Sequence, residues 1–581
     1  MSAGRSLPPY CHPVANNRGE TRVMSELQHY QTGAAWVYHD SPVSRLPCDV
    51  LLEIFLSLQS EYRSDATRKG RMTNISWMRS VTHVCRSGRQ WSISSPLLWT
   101  LVIAGPLRIT KLFLARSHDL SLDVFCDIST ESYGEDLSPK TGSVVVCASR
   151  ARSLELHFPE DMDDIEPWKS LRFPRLTKLI VSKLDSRWSG PPPPFIDTMT
   201  AADLPCLREL RVTDFGLLSV ADPFIMSRLT KLEICNSWDV DSLEEVMKIL
   251  AMLDGGPLEE LLMEDAFPDP LCAYYDANGP SEVEVPEKMP SFPLSISLPR
   301  LKRLQLVGAA VCCETVLRHA VLPSDVVTTL RFTADPDFGD LTRVLASVGQ
   351  ILLRRPGLET GEGPITVHLV ERCCHNGVTA SVWTTLLPQL PFYNLSAPSS
   401  PTALSTRLRE PQLRLSLVGY KPSVIVEALT SGLGTTATRM FSFADIYPLE
   451  HCYIGACRLA LSDILANLPF VEVISISGRP AVADLPAILS SPLREASGLW
   501  TVPQLRALNI GRPAADSQPS IPPSERDLVS LVDSLQRRKA AGYGLELLRL
   551  PRDYFGVLSE RQAEMIEGCA SVVELSLPRA L

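Results

Sequence analysis

A spaced motif, apolar-Pro-x-Leu-x-x-Leu-x-aliphatic, constrains the fold of this chain more than any other feature. Its clearest copies are Phe173-Pro-Arg-Leu176-Thr-Lys-Leu179-Ile-Val181, Leu204-Pro-Cys-Leu207-Arg-Glu-Leu210-Arg-Val212, Leu298-Pro-Arg-Leu301-Lys-Arg-Leu304-Gln-Leu306 and Val502-Pro-Gln-Leu505-Arg-Ala-Leu508-Asn-Ile510. The spacing returns without proline at Leu229/Leu232/Ile234, Leu258/Leu261/Met263, Val327/Leu330/Phe332, Val471/Ile474/Ile476, Leu545/Leu548/Leu550 and Val572/Leu575/Leu577. Aliphatic residues alternating with polar ones have the period of a strand with one buried face. Bare triplets are common by chance in a chain of 581 residues that is 45% hydrophobic. The weight therefore rests on the proline-marked copies and on what lies between copies.

Between Ile234 and Leu258 lies a helix signal. Asp241-Ser242-Leu-Glu-Glu245 has the form of a capping box, Val246, Met247, Leu250 and Leu253 share one helical face, and Asp254-Gly255-Gly256 is a stop. Equivalent leucines of this strand–helix–strand unit, Leu229 and Leu258, are about 29 residues apart, at the upper end of the leucine-rich-repeat range. A similar unit runs from Ile510 through a Pro/Ser loop to Ser524, a helix over Leu528 to Arg538 and a strand at Leu545. Elsewhere the spacing is uneven, with long gaps at 264–297 and 333–410 and Pro/Ser-rich loops at 191–194 and 396–401. The expected fold is α/β, with an irregular leucine-rich-repeat solenoid over 106–581. A generic α/β domain with several parallel strands is the competing reading.

The N-terminal hundred residues read differently. Residues 1–40 carry no sustained hydrophobic period and are expected to be disordered. Pro47 is placed to start a helix with Asp49 in its positive first turn, and Val50, Leu51, Ile54, Phe55 and Leu58 share one helical face. The polar stretch Ser60 to Thr73 reads as an interrupting spacer. A second helical pattern begins near Trp77 and carries Val81, Val84 and Cys85, and a third segment runs through Trp91 and Ile93 to Ser95-Pro96.

The ordered set Leu46-Pro47-x-Asp49-Val50-Leu51-Leu52-x-Ile54-Phe55, Val81-Thr-His-Val84-Cys85-Arg86-x-x-Arg89 and Ser95-Pro96-x-Leu98-Trp99 resembles the F-box-like domain common in proteins of mushroom-forming fungi. The resemblance implies a small three-helix module over 41–105 that docks the Skp adaptor of a cullin ubiquitin ligase. Carried over by position, Leu46 and Pro47 sit at the adaptor contact, and Val50, Leu51, Ile54, Phe55 and Leu58 supply its apolar face. One position departs: Gly88 stands where the family commonly has tryptophan. Three helices totalling about 55 residues bury little surface by themselves, so their apolar face calls for a partner or for packing on the repeats.

With 66 acidic against 56 basic residues and a net charge of −10, a nucleic-acid backbone is excluded as the main partner, since binding it needs clustered cations. No run of about 18 apolar residues suggests a membrane span, and Met1 to Glu20 lacks the apolar core of a secretory signal. The 15 cysteines are therefore expected as reduced thiols, with Cys147, Cys206 and Cys235 packing as small hydrophobes, in the cytoplasm or nucleus. No P-loop, nucleophile elbow or His-Glu-x-x-His is present. The clusters Cys373-Cys374-His375 and His451-Cys452 with Cys457 lack the paired spacing of a zinc site. The acidic run 160–166 lacks the glycine of a calcium loop.

The chain is thus expected to be non-catalytic, without cofactor or metal. The expected function is substrate-recognition adaptor of a Skp–cullin–F-box ubiquitin ligase, binding a protein substrate through the repeats. The alternative is a leucine-rich-repeat scaffold with a degenerate F-box. In the strands, residues between the aliphatic positions point away from the core. That assigns Lys178, Arg211, Glu233, Arg303, Gln305 and Asn509 to the binding face, beside Glu209, Lys231 and Glu260.

Overall fold

A computed structural model of the chain describes residues 46–69, 82, 86–128, 138–158, 171–183, 199–214, 222–236, 243–267, 295–323, 325–333, 341–353, 365–372, 377–383, 413–418, 438–446, 465, 468, 470–477, 479–490, 502–511, 525–551 and 560–576. The expected tail 1–40, the clusters at 373–375 and 451–457, the acidic run and the 191–194 prolines lie outside the described residues. The chain divides into two compact units, Met1–Leu98 and Trp99–Leu581.

The first unit contains helix α1 (Cys48–Lys69) and helix α2 (Arg86–Ser94), followed by a 3-10 turn, Pro96–Trp99. Pro47 lies just ahead of α1, where its carbonyl accepts from Leu51 N–H at 3.1 Å and its missing donor costs nothing. The helix does not stop at the expected spacer. It continues through Ser60 to Lys69, because that stretch is rich in Glu, Arg, Ala and Lys and lacks Gly or Pro, so intrinsic propensity carries it on without an apolar face. Of the expected second helix, Val81, Val84 and Cys85 fall outside the described residues, while Thr82 is helical. Trp91 and Ile93, expected in a third segment, belong to α2.

Among the described residues, the second unit is built on one 17-stranded sheet. Its strands are β1 (Leu101–Ile103), β2 (Leu122–Asp127), β3 (Ala151–Phe158), β4 (Lys178–Lys183), β5 (Glu209–Thr213), β6 (Lys231–Cys235), β7 (Glu260–Glu264), β9 (Arg303–Ala309), β11 (Val327–Thr333), β12 (Ile365–Arg372), β13 (Gly377–Trp383), β14 (Leu413–Val418), β15 (Thr438–Ile446), β16 (Val473–Ser477), β17 (Ala507–Gly511), β18 (Leu545–Pro551) and β19 (Ala570–Ser576). A separate short parallel pair joins β8 (Ile296–Ser297) to β10 (Ala320–Val321). From β1 to β11 each large-sheet strand pairs in parallel with the next, and the same holds from β15 to β19. Strand β1 lies within the expected 41–105 module but belongs to the sheet.

Between the two runs the order inverts. Strand β11 pairs with β14, β14 with β13, β13 with β12 and β12 with β15, and β13 is antiparallel to both of its neighbours. The 333–410 interval is thus not only loop: it holds helix α8 (Leu341–Leu353), β12 and β13. The strands there alternate β-branched residues without the leucine spacing, so the motif could not register them. The other helices are α3 (Leu107–Arg116), α4 (Ser138–Cys147), α5 (Pro223–Met226), α6 (Leu243–Ala251), α7 (Ala310–His319), α9 (Arg479–Ser490), α10 (Glu525–Ala540) and α11 (Glu560–Glu567). Alternating strands and helices around a long parallel sheet give the α/β class expected.

The motif has a local explanation. Its apolar-Pro-x-Leu half is a β-turn in which the last residue donates to the carbonyl of the first: Leu176 to Phe173 at 3.1 Å, Leu207 to Leu204 at 3.2 Å, Leu301 to Leu298 at 3.2 Å and Leu505 to Val502 at 3.3 Å. Proline fixes the backbone angle that the second turn position needs. Both turn ends are buried, as are the two aliphatics of the strand that follows. Parallel register then stacks them into columns, Leu179–Leu210–Leu232–Leu261–Leu304 and Val181–Val212–Ile234–Met263–Leu306–Leu330, while on β11 Thr328 stands beside Leu304, so the Val327/Leu330/Phe332 copy is two residues out of phase. Each such side chain contributes about 1.5–3 kcal/mol by burial.

Helix α6 occupies the predicted place, with Val246, Met247, Ile249 and Leu250 buried, and Gly255 beyond it takes φ +65, as a helix stop requires. The Val572/Leu575/Leu577 copy needs a correction of two residues. Register against β18 aligns Leu545 with Ala570, Leu548 with Val573 and Leu550 with Leu575, leaving Val572 half exposed. Cys147 and Cys235 are buried, but Cys206 is exposed, because it occupies a solvent-facing middle position of its turn.

Candidate protein-binding surfaces

The strand residues between the stacked aliphatics form the open face of the sheet. On it, register aligns Lys178 of β4, Glu209 of β5, Lys231 of β6, Glu260 of β7 and Arg303 of β9 in one row. The signs alternate strictly across five neighbouring strands. Two residues further along each strand, Ile180, Arg211, Glu233, Leu262 and Gln305 form a second row.

Ion pairs run along both rows, and Lys231 to Glu233 bridges them. Lys178 Nζ lies 3.3 Å from Glu209, Lys231 Nζ 2.9 Å from Glu233 and 2.8 Å from Glu260, Arg211 Nε 3.4 Å from Glu233, and Arg303 Nη1 4.0 Å from Glu260. Lys231 is the hub. Burial pulls its pKa down, but the hydrogen bonds to Glu260 and Glu233 outweigh burial and raise it above the usual lysine value. The Glu260 carboxyl is held below its usual value, chiefly by the Lys231 hydrogen bond and against burial. A dimple of about 80 Å³ opens among Lys178, Ile180, Glu209, Arg211, Lys231 and Glu233.

Of the residues predicted for the binding face, Lys178, Arg211, Glu233, Arg303 and Gln305 lie together here. Asn509 does not join them. It belongs to β17, is buried, and its amide nitrogen donates to Ser475 Oγ at 3.0 Å while Oδ1 has no partner. Alternation alone assigned it outward; its row neighbours Ser475 and Arg549 belong to a part of the sheet without the charge ladder.

Two further features of this face escaped the sequence reading. Ser182 Oγ is hydrogen-bonded to His157 Nδ1, and His157 Nε2 lies 3.2 Å from Glu155 Oε1. The order of groups is that of a nucleophile, base and acid. Ser182, however, sits inside β4, whose backbone is paired on both sides, so neighbouring N–H groups are not available to hold an oxyanion. The arrangement is a cross-strand polar clamp.

The second feature is a ladder at the strand exits. Asp214, Asn236 and Asp265 each have positive φ, at 62, 52 and 48, and each donates its N–H to a carbonyl of the next strand, Cys235, Glu264 and Val307, at 2.7–2.9 Å. Asn and Asp tolerate this left-handed geometry. A fixed offset, two residues past the last strand aliphatic, is the signal that could have found them.

The first unit offers an apolar surface. The single face predicted for α1 splits in two. Leu51 and Phe55 are buried in line with Gln59, whose Nε2 donates to Leu98 O at 3.2 Å, while Leu46, Val50 and Ile54 form a parallel exposed stripe. Pro47 is exposed and Leu58 intermediate. Trp91, Ile93 and Leu97 of the same unit are exposed as well. Of the seven predicted adaptor-contact residues, then, Leu51 and Phe55 are committed to the interior.

Among the described residues no cluster of three or more His, Cys, Asp or Glu is arranged to hold a metal ion, and no helix is long and apolar enough to cross a membrane. No family model matches the chain, and no curated protein matches it significantly.

Proposed function

We propose that this chain is a substrate-recognition adaptor of a Skp–cullin–F-box ubiquitin ligase, acting in the cytoplasm or nucleus without catalysis of its own. In this reading Met1–Leu98 carries the F-box-like module and Trp99–Leu581 an irregular leucine-rich-repeat array that holds a protein substrate. The observation that carries it is the stripe Leu46, Val50 and Ile54, apolar and solvent-exposed beside Pro47 at the entry to α1 and along its first turns, in the segment that resembles an F-box. Exposed apolar side chains clustered on one surface are costly unless a partner covers them. The array half is supported by the proline turns, the stacked leucine columns and the strand–helix alternation. Co-purification with a Skp-family adaptor tests the reading, with a Pro47→Ala/Ile54→Ala double variant as control. Undiminished adaptor capture by that variant removes the assigned interface.

Gly88 favours a second reading, a leucine-rich-repeat scaffold with a degenerate F-box working outside the ligase. It lies in α2 and is buried, where the family commonly places tryptophan, and an interior helical glycine costs about 1 kcal/mol relative to alanine. This reading expects capture of another protein through the sheet and no cullin in the pull-down.

A further inference from the structure

We propose that the outer edge of β19 is an interaction surface for a second copy of this chain, the two β19 strands pairing antiparallel about a two-fold axis at Val573. The proposal goes beyond the adaptor reading and stands without it.

Among the described residues β19 pairs with β18 alone, in one frame from Leu545–Ala570 to Pro551–Ser576. Which main-chain groups are left over follows from the ladder. Leu547 N–H donates to the carbonyl of Arg506, at the entry to β17, at 3.2 Å. In a parallel ladder each residue turns its N–H and C=O to one neighbouring strand, and the next residue turns both to the other. Val572, the register partner of Leu547, therefore faces β18, as does Glu574. Ser571, Val573 and Leu575 turn their main-chain donors and acceptors outward. Proteins usually blunt such an edge with short length, lysine, proline or a bulge. The opposite edge, β1, has only three residues, and Thr100 and Ile103 there hold further contacts. Strand β19 runs seven residues without proline or lysine. Its single carboxylate, Glu574, is drawn back to Arg549 Nε at 2.5 Å, and Ser571 and Val572 stand exposed.

The edge is self-complementary in one register. An axis at Val573 sets Ser571 opposite the partner's Leu575 and Val573 opposite the partner's Val573. All three outward-facing residues then exchange main-chain hydrogen bonds, about six in all. On the open face the same axis sets each Glu574 opposite the partner's Val572, covering a side chain that is 51% exposed. An axis at Glu574 would bring two carboxylates face to face, and one at Val572 would leave Leu575 unpaired within the strand. Seven residues against seven bury less than the roughly 1,200 Å² of a stable interface, so the association is weak and depends on concentration. Both copies use the same edge, so pairing closes at two chains. The dimer carries two copies of every binding surface, which strengthens the hold on a partner with two sites.

The test is sedimentation velocity of the full chain in reducing buffer, from about 2 to about 200 µM. The mean mass is expected to rise from one chain toward two across that range. Val573→Pro removes the central outward N–H and leaves the bonds to β18, and should raise the dissociation constant at least tenfold. Val572→Asp, at an exposed site, sets a carboxylate opposite the partner's Glu574 and should weaken pairing at least fivefold, whereas Val572→Lys should tighten it. Circular dichroism confirms the fold of each, and the Val572 variants carry the readout should Val573→Pro fail to fold. Register is checked by oxidative cross-linking. Val573→Cys should give a two-chain band beyond the parent's, since facing Cα atoms about 5.5 Å apart admit a disulfide, and Ser571→Cys should not. One-chain mass at every concentration overturns the proposal and leaves the edge to a strand of another protein or to none. Growth past two chains, full association in the folded variants, equal effects of Val572→Asp and Val572→Lys, or equal cross-linking by the two cysteine variants overturns it as well.

Discussion

The guanidinium of Arg538, on α10, donates to the carbonyl of Val502 at 2.5 Å, and that is the one hydrogen bond holding a wholly buried charge. Its Nε and Nη1 have no partner, and the Tyr543 ring 5.7 Å away supplies a weak cation–π contact. Burial pushes the arginine down to about 10. The folded state therefore binds this proton less readily than the unfolded chain does. The cost is present at neutral pH and is relieved only as pH rises above about 10.

A buried charge so thinly satisfied predicts that Arg538→Met leaves stability unchanged or raises it by about 1–4 kcal/mol, the range found when buried ions are replaced by apolar groups of similar size. The urea midpoint at pH 7 checks this. A lowered midpoint would mean that the bond to Val502 outweighs the desolvation of the charge.

The stacked columns predict strong position dependence. Leu232→Ala, at a site 1% exposed, should cost about 2–5 kcal/mol. Val572→Ala, at a site 51% exposed, should stay within about 0.5 kcal/mol of the parent. Equal losses at the two sites would reverse the frame assigned to β19.

At the hub of the ladder, a double-mutant cycle of Lys231→Met and Glu260→Gln should give a coupling of about 0.2–1 kcal/mol, smaller at high salt, as for partly exposed pairs. Because the Glu260 pKa lies below its ordinary value of 4.5, its stabilisation is present above that value and is lost as pH falls through the lower folded one. Both single variants should therefore flatten the acid limb of the stability curve between pH 6 and 3.

Gly308 has φ +153, and a Cβ added there would meet the Phe267 ring at 2.7 Å. Gly308→Ala should destabilise by about 1–3 kcal/mol. Adding Phe267→Leu should recover part of that loss by relieving the contact while leaving the backbone strain. At the strand exits, Asn236→Gly should be nearly neutral and Asn236→Ala should cost about 1 kcal/mol or more, since only the second leaves a plain Cβ at φ 52. Thermal melts of the four variants decide both.

How much of this could be read beforehand depended on whether a residue's role was local. Phe173-Pro-Arg-Leu176 announces its turn because proline and two buried ends fix one geometry, and α6 was legible from its stop glycines and its face. The frame of β19 was not, since Ala570 is too small to register as a motif leucine and only pairing with β18 sets the phase. Strands β12 and β13 were missed because their alternation is that of any sheet and their partners lie outside the repeat order. The continuation of α1 to Lys69 has no hydrophobic period to announce it, because it rests on helix propensity alone. Alternation names a side of the sheet and not exposure: five of the six candidates lie together on the open face, while Asn509 is buried.

The inverted strands β12–β14 carry a consequence for how the chain reaches this structure. From β1 to β11 and from β15 to β19, every large-sheet strand pairs with the next in sequence, so each block can zip up from short loop closures. The seam between the blocks is different. Thr328 pairs with Leu413 and Thr366 with Met440, contacts that require closing loops of more than seventy residues. Closure of such loops costs entropy before any pairing rewards it. Two blocks that nucleate independently and wait for a slow splice should give biphasic refolding, with the late phase slowed by substitutions in the meander and indifferent to those at either end of the sheet.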